Sequence, residues 1–126
     1  MLDTARAGIY AQERMKDVPK PLIQKYFDCS LNAGETHYRV GPALRKLVRL
    51  APLNLMQSWP MKGHFNVIFC RNVMIYFDRP TQQQLVDRYY DLLEPGGYLF
   101  VGHSEGLSGV RHSFQYMKPA IYRKRK

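Results

Sequence analysis

The sequence predicts an α/β fold: a mostly parallel sheet crossed by a helix, with an antiparallel edge strand and a small β-hairpin subdomain. Three observations carry that expectation. Phe65 to Phe77 is an apolar run without proline, broken by one polar pair, Arg71-Asn72. Its β-branched and aromatic residues fall on both faces, the composition of a central strand covered on both sides. Leu85, Tyr89, Leu92 and Leu93 then form a helical stripe, and Tyr98 to Gly102 is a second strand. The order strand, helix, strand joins parallel neighbours by a crossover.

The polar pair gives this stretch its interest. In open α/β sheets ligands bind in the crevice outside the carboxyl ends of the strands, where Arg71 and Asn72 are expected to lie. Two readings stand side by side. Either the pair faces a ligand, or Arg71 meets a nearby carboxylate and Asn72 merely caps a turn.

Taken in order, Leu2 to Ala7 reads as the last turns of a helix stopped by Gly8, which suits the left-handed position after a helix end. After Pro19 and Pro21, the residues Leu22, Ile23, Tyr26 and Phe27 have the spacing of a short amphipathic helix. Residues 28–41 form the hairpin, with turn chemistry at Asn32-Ala33-Gly34 and alternation from Thr36 to Val40. Pro42 opens a helix with Leu44, Leu47 and Val48 on one face. Arg49 to Leu53 is expected to return as a strand, delivering Asn54 to the sheet rim, although turn formation is asparagine's commonest role. Asp78 or Thr81 caps the long helix, with Gln84 placed to complete a capping box from Thr81. Glu94-Pro95-Gly96-Gly97 turns the chain into the next strand. Phe114 to Met117 and Ala120 to Tyr122 close the sheet with an antiparallel edge.

A chain of 126 residues with 45% hydrophobic content can bury a core as one soluble domain or part of one. No apolar run approaches membrane-spanning length, and no secretory leader opens the chain, so a cytoplasmic protein without membrane insertion is expected. Two cysteines without metal-type spacing fit that compartment. The net charge of +9 favours an acidic partner. Nucleic acid is not the expected one, because the nine tyrosines are distributed as ordinary core and surface aromatics.

Gly102-His103-Ser104-Glu105-Gly106 matches the G-x-S-x-G nucleophile elbow and follows a strand, as that motif requires. Its machinery is missing: no Asp or Glu follows Glu105, and His112 is too near in sequence to sit on a separate loop. The four histidines lack ligand spacing, so no metal site is expected.

Phe69-Cys70-Arg71-Asn72-Val73-Met74-Ile75-Tyr76-Phe77-Asp78, with Ala51-Pro52-Leu53-Asn54-Leu55, Leu93-Glu94-Pro95-Gly96-Gly97 and Gly102-His103-Ser104-Glu105, closely resembles the chemotaxis receptor glutamate methyltransferases of the CheR type. Ala5-Arg6-Ala7-Gly8-Ile9-Tyr10 matches as well, so the likeness spans almost the whole chain. The resemblance implies a partial Rossmann-like class I methyltransferase sheet over residues 1–126 and S-adenosylmethionine as cofactor. The implied activity is protein-glutamate O-methylation, with methyl-accepting chemotaxis receptors and their acidic helices as partners.

By matching motifs, the resemblance places Asn54 and Leu55 along the adenosine side, Arg71 and Asn72 near the amino-acid portion, and Tyr76 close to the reacting methyl as an orienting group. Arg39 keeps a basic substrate-binding position in the hairpin. Ser30, Asn32 and Thr36 stand where tail-gripping relatives have glycines, so docking to a receptor tail is not expected. Asn66 replaces the family's usual Asp, removing a charge near the strand's start.

The family's helical N-terminal domain, first cofactor loop and following acidic residue would precede Met1. The chain is therefore expected to be the carboxyl-terminal half of the catalytic domain, weak or inactive alone. The alternative is a non-catalytic remnant acting as an interaction module. An edge left unpaired is expected to drive dimerisation.

Overall fold

The computed structural model describes residues 2–32 and 34–126. They divide into two compact units, Met1–Leu53 and Asn54–Lys126.

The first unit begins with helix α1 (Leu2–Ala7), strand β1 (Ile9–Ala11) and a 3-10 turn (Gln12–Met15). Helix α2 (Lys20–Tyr26), strands β2 (Phe27–Asn32) and β3 (Glu35–Val40), and the short helix α3 (Pro42–Arg45) follow. Gly8 stops α1 as expected: its φ is 64°, and its N–H donates to the Thr4 carbonyl at 3.0 Å. Arg45 reaches back to the same helix end, donating to the Ala7 carbonyl at 3.0 Å and the Arg6 carbonyl at 2.6 Å. A cation over the last carbonyls satisfies acceptors that a helix end leaves open.

The hairpin forms, with Ala33 of its expected turn lying outside the described residues. It is one strand richer than predicted. β1 adds to β3 antiparallel, giving the order β1-β3-β2. Met15 is the one buried large hydrophobic side chain among the described residues of this unit. α3 ends at Arg45, earlier than the predicted stripe, and Leu47 and Val48 are exposed.

Residues 49–53 form no strand, contrary to expectation. Pro52 has no N–H to give to a ladder, and Arg49 to Leu53 are all exposed, so nothing recruits the segment into a sheet.

The second unit holds strand β4 (Phe65–Cys70), a 3-10 turn (Met74–Tyr76), helix α4 (Arg79–Leu92) and strands β5 (Leu93–Val101), β6 (Phe114–Lys118) and β7 (Ile121–Lys124). The sheet order is β4-β5-β7-β6. β4 and β5 run parallel on either side of α4 in sequence, and the predicted antiparallel closure is present as the β6-β7 hairpin. With one parallel and two antiparallel pairings among the described residues, the sheet is mixed rather than mostly parallel.

Asp78, not Thr81, caps α4. Its Oδ1 accepts the Thr81 N–H at 3.0 Å, so the box from Thr81 to Gln84 does not form, and hydrogen bonding from the Thr81 side chain, then from its backbone N–H, holds the Asp78 carboxyl below its ordinary value. Glu94 to Gly97 interrupt the ladder: Phe65 pairs with Leu93, and regular pairing resumes at Val67 and Tyr98.

α4 packs one sheet face, burying Leu85, Val86 and Tyr89 against Leu99, Val101 and Tyr122. The opposite face of β4 is different. Phe65, Val67 and Phe69 are exposed, Phe69 by 68%, and among the described residues β4 is an edge strand, not the centrally covered strand its composition predicts. Apolar composition on both faces indicates a strand suited to burial, but it does not supply the layers that bury it. Among the described residues no helix is long and apolar enough to cross a membrane.

Candidate functional site at the parallel strand ends

Register sets the site. Cys70 ends β4 opposite Val101 at the end of β5, so Arg71-Asn72 and Gly102-His103 leave the sheet side by side. Two segments thirty residues apart meet at the crevice where α/β sheets bind ligands.

Asn72 turns there with a φ of 62°, a left-handed conformation that asparagine tolerates better than bulkier residues. Its amide lies against Gly102: a Cβ at that glycine would overlap Asn72 Oδ1 and sit 3.0 Å from the Asn72 backbone nitrogen. Arg71 Nη2 is 3.3 Å from His103 Nδ1, with both residues exposed. The carboxylate partner allowed for Arg71 is absent, since the single ion pair among the described residues joins His64 and Glu94 at 3.8 Å.

The loop after β5 is built around Glu105. This residue is buried, and its Oε2 accepts the Gly102 N–H at 3.0 Å while its own N–H donates to the Gly102 carbonyl at 3.0 Å. Leu107 N–H donates to the Tyr122 hydroxyl at 3.2 Å and fastens the far side of the loop to β7. The G-x-S-x-G string thus closes a turn through Gly102 and Glu105, and among the described residues no side-chain hydrogen bond joins exposed Ser104 to a histidine. Within it, Gly102 lies against Asn72, His103 faces Arg71, and Glu105 closes the turn.

Tyr76 lies on the 3-10 turn and is 79% exposed. Buried Met74 anchors the turn, and the Gln82 amide of α4 clamps it by donating to the carbonyls of Met74 at 2.8 Å and Phe77 at 3.0 Å. Gln82 had no distinguishing signal in the sequence. Met74, Ile75, Arg79, Gln82 and Glu105 line a hollow of about 270 Å³, whose lining does not include Tyr76.

Asn54 and Leu55 arrive by a different route. The Asn54 side chain accepts the Met56 N–H at 2.9 Å, making the turn that was its alternative role, and no described hydrogen bond joins it to Arg71 or Asn72. Leu55 offers its carbonyl to Arg88 Nη1 at 3.1 Å and Trp59 Nε1 at 3.3 Å. One stretch of α4 holds both segments, because the next residue, Tyr89, hydrogen-bonds Cys70 Sγ at 2.8 Å. Arg39, exposed on β3 opposite Asp28, belongs to the first unit.

Burial pushes the Cys70 thiol up, and burial together with the Cys70 contact raises Tyr89 as well. Both groups are protonated near neutrality, so neither is a nucleophile. Cys29 is exposed and Cys70 buried. A thiol reagent such as Ellman's is expected to label one cysteine in the folded chain and two in denaturant; rapid labelling of both without denaturant would contradict the packing of β4 on α4.

A mixed α/β unit with a guanidinium and an amide at its parallel strand ends belongs to the class that binds ligands outside those ends. Residues 1–123 match the profile described as "CheR methyltransferase, SAM binding domain". The chain belongs to this CheR methyltransferase family, whose domain binds S-adenosylmethionine. It is 42% identical over 125 residues to "Chemotaxis protein methyltransferase 2" of Pseudomonas aeruginosa, covering 97% of this chain and 44% of the relative. It is 42% identical over 123 residues to the "Chemotaxis protein methyltransferase" of Escherichia coli K12, covering 97% and 43%. It is 40% identical over 124 residues to a "Probable chemotaxis protein methyltransferase" of Rhizobium etli, covering 98% and 46%. The chain thus spans less than half the length of these relatives.

Proposed function

We propose that this chain forms one wall of the S-adenosylmethionine pocket in a cytoplasmic protein-glutamate O-methyltransferase acting on chemotaxis receptors. The observation that carries the proposal is the meeting of Arg71-Asn72 with Gly102-His103 at the ends of β4 and β5. The residues suit the cofactor. Arg71 has no acid partner among the described residues and can give a charge-assisted hydrogen bond to the amino-acid carboxylate. Asn72 adds an amide beside it, and the 54–55 loop supplies the adenosine side, with Leu55 rather than the engaged Asn54 oxygen as its apolar contact.

Bound S-adenosylmethionine supplies an activated methyl group. Arg71, Asn72 and the 54–55 loop would hold the cofactor, and a receptor glutamate carboxylate would be the acceptor of its methyl. The acceptor is already ionised near neutral pH, so the protein's task is alignment. Tyr76, held outward by the Gln82 clamp, orients the reacting partners, while the positive chain and Arg39 favour acidic receptor helices.

Nuclear magnetic resonance titration of the chain with S-adenosylhomocysteine tests this reading even where affinity is weak. Amide shifts are expected at residues 54–55, 71–72 and 102–103. Arg71→Ala should weaken binding about tenfold, the scale of one hydrogen bond to a charged group. Absent shifts, or shifts confined to other surfaces, would overturn it.

A further inference from the structure

Arg71 meets a base where an acid would be the usual partner. Its Nη2 lies 3.3 Å from His103 Nδ1. A guanidinium carries only donors, so a hydrogen bond across this contact requires Nδ1 as the acceptor, which is the Nε2–H tautomer of the imidazole. A carboxylate in that place would orient the guanidinium and also cancel its charge. A neutral imidazole orients it and leaves the full charge, with the remaining N–H donors, for an incoming anion.

His103 can do this because its backbone is fixed. It occupies the turn closed by the two hydrogen bonds between Gly102 and Glu105, and the Glu105 carboxylate beneath that turn is buried. Among the described residues, the side-chain contact recorded for the imidazole is Arg71, from the end of β4; Glu105 Oε2 is engaged by the Gly102 N–H. Cys70, the last residue of β4, is a neutral thiol.

We propose that His103 is the positioning residue for Arg71: in its neutral form it holds the guanidinium over the strand-end crevice, ready for the cofactor's carboxylate. The proposal rests on the assignment of Arg71 to the amino-acid portion given above. A second proton on Nδ1 removes the acceptor and places two cations in contact. Cofactor affinity therefore falls as the pH drops through imidazole protonation and is retained above it.

Two measurements on the whole chain test the proposal. Imidazole nitrogen resonances of the ligand-free chain are expected to show His103 as the Nε2–H tautomer, and Arg71→Ala should shift its Nδ1 signal while leaving the other three histidines unmoved. S-adenosylhomocysteine affinity is then followed across pH. Wild type should weaken toward acid. His103→Asn, whose side-chain oxygen is an acceptor that does not titrate, should bind within about twofold of wild type at high pH and lose the slope. His103→Phe should bind about tenfold more weakly at every pH.

Wild-type binding that tightens toward acid would make His103 a direct anion ligand and overturn the proposal, as would an Nδ1–H tautomer or unchanged affinity in His103→Phe. No wild-type binding at any pH, with the Arg71-dependent signal intact, would refute the cofactor assignment and the pH claim built on it while confirming the His103–Arg71 contact.

Discussion

Gly102→Ala is expected to reduce S-adenosylhomocysteine binding by at least tenfold and to lower the thermal midpoint of the second unit. The added Cβ would overlap the Asn72 side-chain oxygen and stand 3.0 Å from the Asn72 backbone nitrogen. A rotating side chain could relieve the first contact; the backbone contact cannot be relieved without moving the end of β4. Overpacking of this kind typically costs about 1–3 kcal/mol, and each 1.4 kcal/mol withheld from the bound state is a factor of ten in affinity. The displacement also turns Arg71 away from His103. Binding by resonance titration, paired with a thermal melt, separates the effects: a wild-type midpoint with wild-type binding would show that Asn72 does not lie against Gly102.

The same contact shows why the site was only half visible in the sequence. Arg71-Asn72 announces itself as a polar interruption in an apolar run. Its companions lie thirty residues on, and only the parallel register of Cys70 with Val101 brings them alongside. A short pattern such as G-x-S-x-G can be scored for the motif it matches, but not for the strand it will stand next to. The helix after β4 was legible because its stripe is local, but the choice between Asp78 and Thr81 as cap was left open and fell to Asp78. That choice depends on which backbone N–H each side chain reaches. Long-range pairings were the losses. β1 is three residues long and acquires its strand geometry from β3, nearly thirty residues later. Arg49 to Leu53 has an apolar content that fits a strand, yet no neighbour offers it a ladder. The exposed face of β4 is the converse case, since its composition describes a buried environment that the described residues do not provide.

Leu99→Ala should be the most damaging single change to the fold. Leu99 is fully buried on β5, an interior strand of the β4-β5-β7-β6 sheet, where its pairing partners are Ile68 on β4 and Tyr122 on β7. It also belongs to the cluster that includes Leu85 and Val86 of α4. Leucine to alanine at such a site removes the transfer free energy of the lost carbons and leaves a cavity that strands fixed on both sides close poorly. The expected cost is about 2–5 kcal/mol, a large share of the roughly 5–15 kcal/mol that holds a typical domain together. The chain's single tryptophan, Trp59, packs against this core with its ring tilted 5.6 Å from that of Tyr89, so its fluorescence reports unfolding of this unit directly. In urea the midpoint should fall sharply with little change in slope. Leu31→Ala, at a position 78% exposed on β2, should shift stability by no more than about 0.5 kcal/mol. An unchanged midpoint for Leu99→Ala would mean that β5 does not run through the interior of the sheet. The side-by-side exit of Arg71-Asn72 and Gly102-His103, which depends on β5 lying against β4, would then lose its structural basis.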